Sequence, residues 1–210
     1  MTLRRALRPL LGLCALLACG AAHAASGTQL FAVCVACHGA KGEGMAATNA
    51  PAIAGQDPAY LERQLQNFRS GVRGAHKADT YGAQMRATAA TLRDDAAVAS
   101  VADYVATLPR TTVKPATAAD LHNGNNLYHG KCGACHGGKA EGNAALSAPR
   151  LAGLESTYIK RQLEHFREGV RGAHPQDRYG RQMAMMASML PTAKDIDDVV
   201  AFIQTQGAVK

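Results

Sequence analysis

The segment Cys34-Val35-Ala36-Cys37-His38-Gly39 returns 98 residues later as Cys132-Gly133-Ala134-Cys135-His136-Gly137. Shifted by that offset, the sequence aligns with itself without a gap: Pro51 meets Pro149, Gly55 meets Gly153 and Tyr60 meets Tyr158. Between Cys34 and Leu92, 33 of 59 positions equal their partners, which chance does not produce. The densest blocks are Gly71–His76 against Gly169–His174, and Tyr81-Gly82-x-Gln84-Met85 against Tyr179-Gly180-x-Gln182-Met183. The chain is therefore an internal duplication. The units are expected at 25–108 and 121–210, with 109–120 (PRTTVKPATAAD) as a semi-extended linker carrying two prolines and no apolar periodicity.

Both units read as helical. Asp57-Pro58 is a helix start, an N-cap followed by proline at the first helical position. Leu61, Leu65 and Phe68 then share a face, and Gly71 ends the run; Ile159, Leu163, Phe166 and Gly169 repeat it. Val98, Val101, Ala102 and Val105 recur at helical spacing, as do Ile196, Val199, Val200 and Ile203, the latter behind a Thr192-x-x-Asp195 capping box. Short helices are expected before each cysteine pair. No sustained alternation of period two is present, so the fold class is all-α with no sheet.

Composition narrows the class of protein. An apolar content of 47% excludes wholesale disorder, and the longest apolar runs fall short of a membrane-spanning helix. Arg4, Arg5 and Arg8, then an apolar run from Leu10 to Ala22 and the small-x-small site Ala22-His23-Ala24, read as a removable export leader over residues 1–24. Leu16-Leu17-Ala18-Cys19 also resembles a lipobox, so the expected localisation is the periplasm, with a lipid tether at Cys19 as the alternative. Removal of the leader lowers the formal charge from +7 to +4 and leaves four cysteines of six.

Those four cysteines carry the chemistry. Cys-x-x-Cys-His is the attachment pattern of a c-type haem. Two cysteines three apart on a helical turn present both sulfurs to one edge of a porphyrin, and the next residue points its imidazole at the iron. Zinc binding by the two pairs would leave their separation and matched histidines unexplained. Structural disulfides would leave His38 and His136 without a role. Two covalent haem c groups are expected, on Cys34 and Cys37 and on Cys132 and Cys135, with His38 and His136 on the iron. A flat apolar cofactor also makes up for the small core a unit of about 90 residues can build with so few aromatics.

The sixth ligand decides between carrier and catalyst. Met85 lies 47 residues after His38, and Met183 lies 47 after His136, both inside Tyr-Gly-x-Gln-Met. Met45 is only seven residues from His38, too near to cross to the other face of the ring. Met185, Met186 and Met189 crowd the second segment, so Met186 and Met189 stay open as alternatives to Met183. The matched pair His76 and His174 are the competing bis-histidine ligands. His122, His129 and His165 have no repeat partner and are expected at the surface.

The two Cys-x-x-Cys-His sites, Pro-x-[Ile/Leu]-Ala-Gly at Pro51 and Pro149, and Tyr-x₃-Gln-Leu at Tyr60 and Tyr158 together resemble the dihaem class I cytochromes c of the cytochrome c4 / cytochrome c553 family. The resemblance covers the whole mature chain. It implies two tandem class I cytochrome c domains with His and Met axial ligands, the haems close together across the domain interface. It also implies that the carbonyls of Pro51 and Pro149 accept the proximal histidine N–H. The segment Gly71–His76 and its copy are longer than that family pattern leads one to expect before the methionine. Arg73 and Arg171, with Tyr81 and Tyr179, are the candidate haem contacts, since partly buried propionates need cationic or donor partners.

Two haems bring four propionates, which return the mature charge to about zero and remove the basic pI as a reason to expect nucleic acid. The expected function is a periplasmic electron carrier, not an enzyme, with no small-molecule substrate. Its partners would be a quinol-oxidising complex or dehydrogenase upstream and a membrane-bound oxidase or reductase downstream. The alternatives are a dihaem subunit of a larger dehydrogenase, such as a sulfide-oxidising flavocytochrome, and a dihaem peroxidase. The identical Tyr-Gly-x-Gln-Met segments argue against the differentiated irons of a peroxidase.

Overall fold

The computed structural model describes residues 25–113 and 119–207. The expected leader and its Cys19, and part of the linker, lie outside the described residues. Among the described residues each unit has five α-helices and one short 3-10 helix, Ala46–Thr48 in the first and Ala144–Leu146 in the second. The first has α1 (Gly27–Phe31), α2 (Val35–His38), α3 (Pro58–Ser70), α4 (Thr80–Ala89) and α5 (Asp95–Thr107). The second has α6 (Leu121–Lys131), α7 (Gly133–His136), α8 (Ser156–Arg167), α9 (Arg178–Ala187) and α10 (Ala193–Gln206). Among the described residues the only β-type pairings are two isolated bridges, Met45 with Ala50 and Asn143 with Ala148. None of the described helices is long and apolar enough to cross a membrane.

Local chemistry sets the helix ends. The Asp57 side chain accepts from the Tyr60 N–H at 2.8 Å, and Gly71 stops α3 in a left-handed conformation (φ 79°) that costs glycine nothing. Thr192 and Asp195 form the reciprocal capping box of α10. Helices α4 and α9 hold Tyr-Gly-x-Gln-Met; α4 shows no hydrophobic period, whereas Tyr179, Met183 and Met186 of α9 recur at helical spacing. Each starts from an aspartate cap, Asp79 and Asp177, whose carboxylate takes the N–H of Gly82 or Gly180 at 2.8 Å. Gly82 weakens helix propensity but lets Gly74 pack on its backbone; a Cβ on Gly74 would lie 2.3 Å from the Gly82 carbonyl oxygen.

The unit cores are built by the first and last helices. A Cβ on Gly27 would fall 2.2 Å from the Ser100 carbonyl oxygen of α5, and one on Gly124 would fall 2.1 Å from that of Asp198 in α10. Bare backbone at the crossing lets α1 meet α5, and α6 meet α10, at contact distance. Phe31, Leu92, Val98, Val101 and Val105 fill the first core. Tyr128, Ile159, Leu190, Ile196, Val199, Val200 and Ile203 fill the second.

The units meet through contacts that obey the repeat. Arg63 donates to the Ser147 carbonyl and Arg161 to that of Asn49, both at 2.9 Å. The Arg63 guanidinium lies 4.5 Å from the Tyr179 ring, and that of Arg161 lies 4.4 Å from the Tyr81 ring. At the centre, the Gln64 oxygen accepts from Arg73 at 2.7 Å and from Arg171 at 3.0 Å. The Gln162 oxygen accepts from Arg171 at 2.7 Å and from Arg73 at 3.0 Å. This closed ring of four side chains has the self-complementarity of a two-fold dimer interface, here within one chain.

Candidate functional site

Cys34 precedes α2, and Cys37 and His38 lie on it; Cys132, Cys135 and His136 repeat this on α7. All four described cysteines are free. Burial, with a smaller contribution from Cys37, pushes the Cys34 thiol up to about 11; burial pushes Cys132 up to about 11 as well. His38 and His136 are buried, with Nδ1 2.8 Å from the Pro51 oxygen and 2.9 Å from the Pro149 oxygen respectively. A carbonyl only accepts, so Nδ1 holds the proton and Nε2 presents its lone pair inward. Burial lowers the pKa of both rings, outweighing the carbonyl bond, which favours the neutral ligand form.

In the first unit these groups open onto an apolar cavity of about 1320 Å³, part of it open to solvent. Cys34, Cys37, His38 and Pro51 line it beside Leu61, Leu65 and Phe68 of α3, Met85 of α4 and Val101 and Val105 of α5. Arg73 and Tyr81 line it too, together with Tyr158, Arg161 and Gln162 of the second unit, so the cavity reaches the interface. In the second unit Met183 and Met186 are half-buried, whereas Met185 and Met189 are 64% and 46% exposed. His76 and His174 are exposed, and each Nδ1 accepts a local backbone N–H at 3.2 Å. His165 departs from its expected surface position: its side chain is 14% exposed and Nδ1 lies 3.8 Å from the Asp79 carboxylate of the other unit.

Arg73 and Arg171 are 8% and 9% exposed and stack on Phe68 and Phe166. Arg73 lies in the segment that follows α3, and Arg171 in the one that follows α8. Neither has a carboxylate within ion-pairing distance among the described residues, and each Nε is buried without a hydrogen-bond partner. Two buried guanidiniums bonded only to neutral oxygens lack anionic partners. With the apolar cavity of the first unit, the paired cysteines and the inward imidazole, they fit a dianionic porphyrin. Two features of the interface escaped sequence reading. Arg63, Gln64, Arg161 and Gln162 were visible as exact repeats, but repetition did not reveal that each bonds the opposite unit. Glu155 and Gln56, which pair across the interface with Ala52 and Arg150, carried no signal, because their repeat partners are Asp57 and Leu154.

The cytochrome c family model matches twice, over residues 24–109 and 121–207. Cytochrome c4 of Azotobacter vinelandii is 33% identical over 198 residues, covering 90% of this chain and 91% of that protein. A thiosulfate dehydrogenase electron acceptor of Stutzerimonas stutzeri is 33% identical over 190 residues, covering 82% and 84%. The crystal structure of reduced cytochrome c4 from Pseudomonas stutzeri superimposes with a TM-score of 0.71 at 29% identity, covering 87% of this chain and 97% of that one. The chain belongs to the cytochrome c family and, within it, to the dihaem cytochrome c4 group. It carries two covalently bound haem c groups and is an electron carrier, not an enzyme.

Proposed function

We propose that this protein shuttles electrons in the periplasm, from a quinol-oxidising complex or a dehydrogenase to a membrane-bound oxidase or reductase. Cys34, Cys37, Cys132 and Cys135 hold the cofactors; His38 and Met85 close the first iron, and His136 and Met183 the second. Residues 25–108 and 121–210 act as separate domains on a linker at 109–120, and residues 1–24 direct export. When bound, the haem supplies a reversible one-electron couple, and thioether ligation raises its potential. The chain supplies the rest: His38 is held neutral and oriented by Pro51, the apolar walls exclude water, and Arg73 and Arg171 face the propionates. Tyr81 and Tyr179, each under a guanidinium of the other unit, would offer hydroxyl donors to the propionates.

The observation that carries this reading is the pair of matched sites meeting at one interface, with the first cavity lined from both units. That arrangement suits transfer between two centres. A second reading has specific support. The thiosulfate dehydrogenase electron acceptor of Stutzerimonas stutzeri is similar over most of the chain. A thiosulfate dehydrogenase of Marichromatium purpuratum superimposes with a TM-score of 0.66 at 29% identity, covering 82% of this chain and 36% of that one. On that reading the donor is a sulfur-oxidising dehydrogenase. Purification of the native protein from periplasm separates the two. A free carrier runs alone with two haems in its intact mass and is oxidised by membranes. A dedicated subunit co-purifies with a second chain. Mass without added tetrapyrrole would overturn both.

A further inference from the structure

The two proximal histidines rest on peptide groups that are held differently. Pro51 O and Ala52 N–H belong to one peptide unit. The oxygen takes the His38 Nδ1 proton at 2.8 Å, and the N–H donates to the Glu155 carboxylate at 2.9 and 3.1 Å. In the second unit, Pro149 O takes the His136 proton at 2.9 Å, and the Arg150 N–H of the same peptide donates to the Gln56 amide oxygen at 2.9 Å. Each anchoring side chain comes from the opposite unit. One is an anion and the other is neutral.

Both are built for the position. The equivalent of Glu155 in the first unit, Asp57, caps its own helix α3, whereas Glu155 makes no cap bond to α8 and spends both oxygens on Ala52. Gly44 leaves the room, since a Cβ there would lie 2.0 Å from a Glu155 oxygen. Gln56 is buried, accepts the Arg150 N–H and returns its own NH₂ to the Arg150 carbonyl at 2.9 Å, which fixes its amide orientation. Burial raises the pKa of Glu155, while the Ala52 N–H, its own N–H and Arg161 favour its charged form.

We infer that Glu155 and Gln56 are positioning residues that make the two haems unequal, each acting on the other unit's proximal histidine through a single peptide group. An anion on the N–H polarises the peptide and makes the Pro51 carbonyl a stronger acceptor. His38 then becomes the more electron-rich ligand, and its haem is easier to oxidise. The fixed charge acts in the same direction, because the oxidised centre carries one more positive charge than the reduced one. The second unit lacks that anion and carries Arg150 at the position of Ala52. Electrons therefore run downhill from the first unit to the second. This rests on the His38 and His136 ligation proposed above.

The test is a spectroelectrochemical titration of the intact dihaem protein, with the two haems assigned by their separate NMR haem-methyl signals. Glu155→Gln keeps a hydrogen-bond acceptor and removes the charge; it is expected to raise the potential of the first-unit haem and narrow the gap. Gln56→Glu is expected to lower the potential of the second-unit haem, and it decides the matter alone if the first variant does not fold. A wild-type gap that neither substitution changes, or equal shifts in both haems, would overturn the inference. Two haems with unchanged ligand-field spectra in that result would leave the carrier reading standing. Absence of haem or of histidine ligation would instead sink the reading beneath it.

Discussion

The first and second units share a fold, a pair of sulfurs, an oriented histidine and a buried arginine, yet differ at a few positions that face each other. The shared residues serve needs common to both halves: Arg73 and Arg171 form one ring with Gln64 and Gln162, each contact having its mirror image. The unshared ones do not repeat. His165 approaches Asp79, where the repeat has Asn67 and Asp177. Asp198 is buried in α10, where α5 has Ser100. Glu155 and Gln56 hold the peptides on which the opposite unit's histidine rests. Duplication supplied two equal sites, and the interface made them unequal, because each side chain that crosses it meets the other copy and not its own.

The comparison breaks most severely if one cofactor is removed. Replacing Cys34 and Cys37 with Ala is expected to remove one haem from the intact mass and to unfold the first unit alone, since its cavity would lose its apolar filling. Loss of helix by circular dichroism should be about half, with the spectrum of the second haem retained. The next largest effect is on ligation. Met183→Ala is expected to halve the weak charge-transfer band of sulfur-ligated ferric haem, and Met186→Ala to leave it intact; the reverse result moves the ligand by three residues, about one helical turn.

The interface ring sharpens the symmetry. Removing a buried hydrogen-bonded charge costs about 1.5–3 kcal/mol. Arg73→Ala and Arg171→Ala are expected to fall in that range by chemical denaturation. Arg73 should cost the more, because it also donates to the Tyr158 hydroxyl at 3.3 Å and Arg171 has no matching bond among the described residues. The smallest effect is a difference in acid stability. Burial alone would raise the Asp198 pKa, but hydrogen bonds from Asn123, Lys194 and the Asp120 N–H win and lower it. A carboxylate with a depressed folded pKa contributes stability that is full above its unfolded value of about 3.9 and is lost as pH falls through the folded value. The second unit should therefore lose stability below about pH 4, and Asp198→Asn should flatten that loss by about 1 kcal/mol, measured as melting temperature against pH.

Much of the fold was legible because its signals are local. Asp57-Pro58 and Gly71 bound α3, and Thr192 and Asp195 start α10, through contacts within a few residues. Helix α4 was not legible: its apolar positions carry no clean period, and what starts it, as it starts α9, is an aspartate cap and a glycine contact from the preceding loop. His165 looked like a surface residue for the same reason: nothing near it in sequence reveals an aspartate on the other unit.

By itself the sequence determined that there are two units and marked a Cys-x-x-Cys-His site in each, because two cysteines and the following histidine within one helical turn form a purely local pattern. It also set the matched methionines and arginines, since duplication copies them at a constant offset. Only the tertiary structure decided which residue serves which unit. Glu155 reaches Ala52 across 103 positions of chain, and Gln56 reaches Arg150 across 94. Such pairings depend on how two packed units are rotated against each other, a property of their whole surfaces that no local pattern of residues encodes.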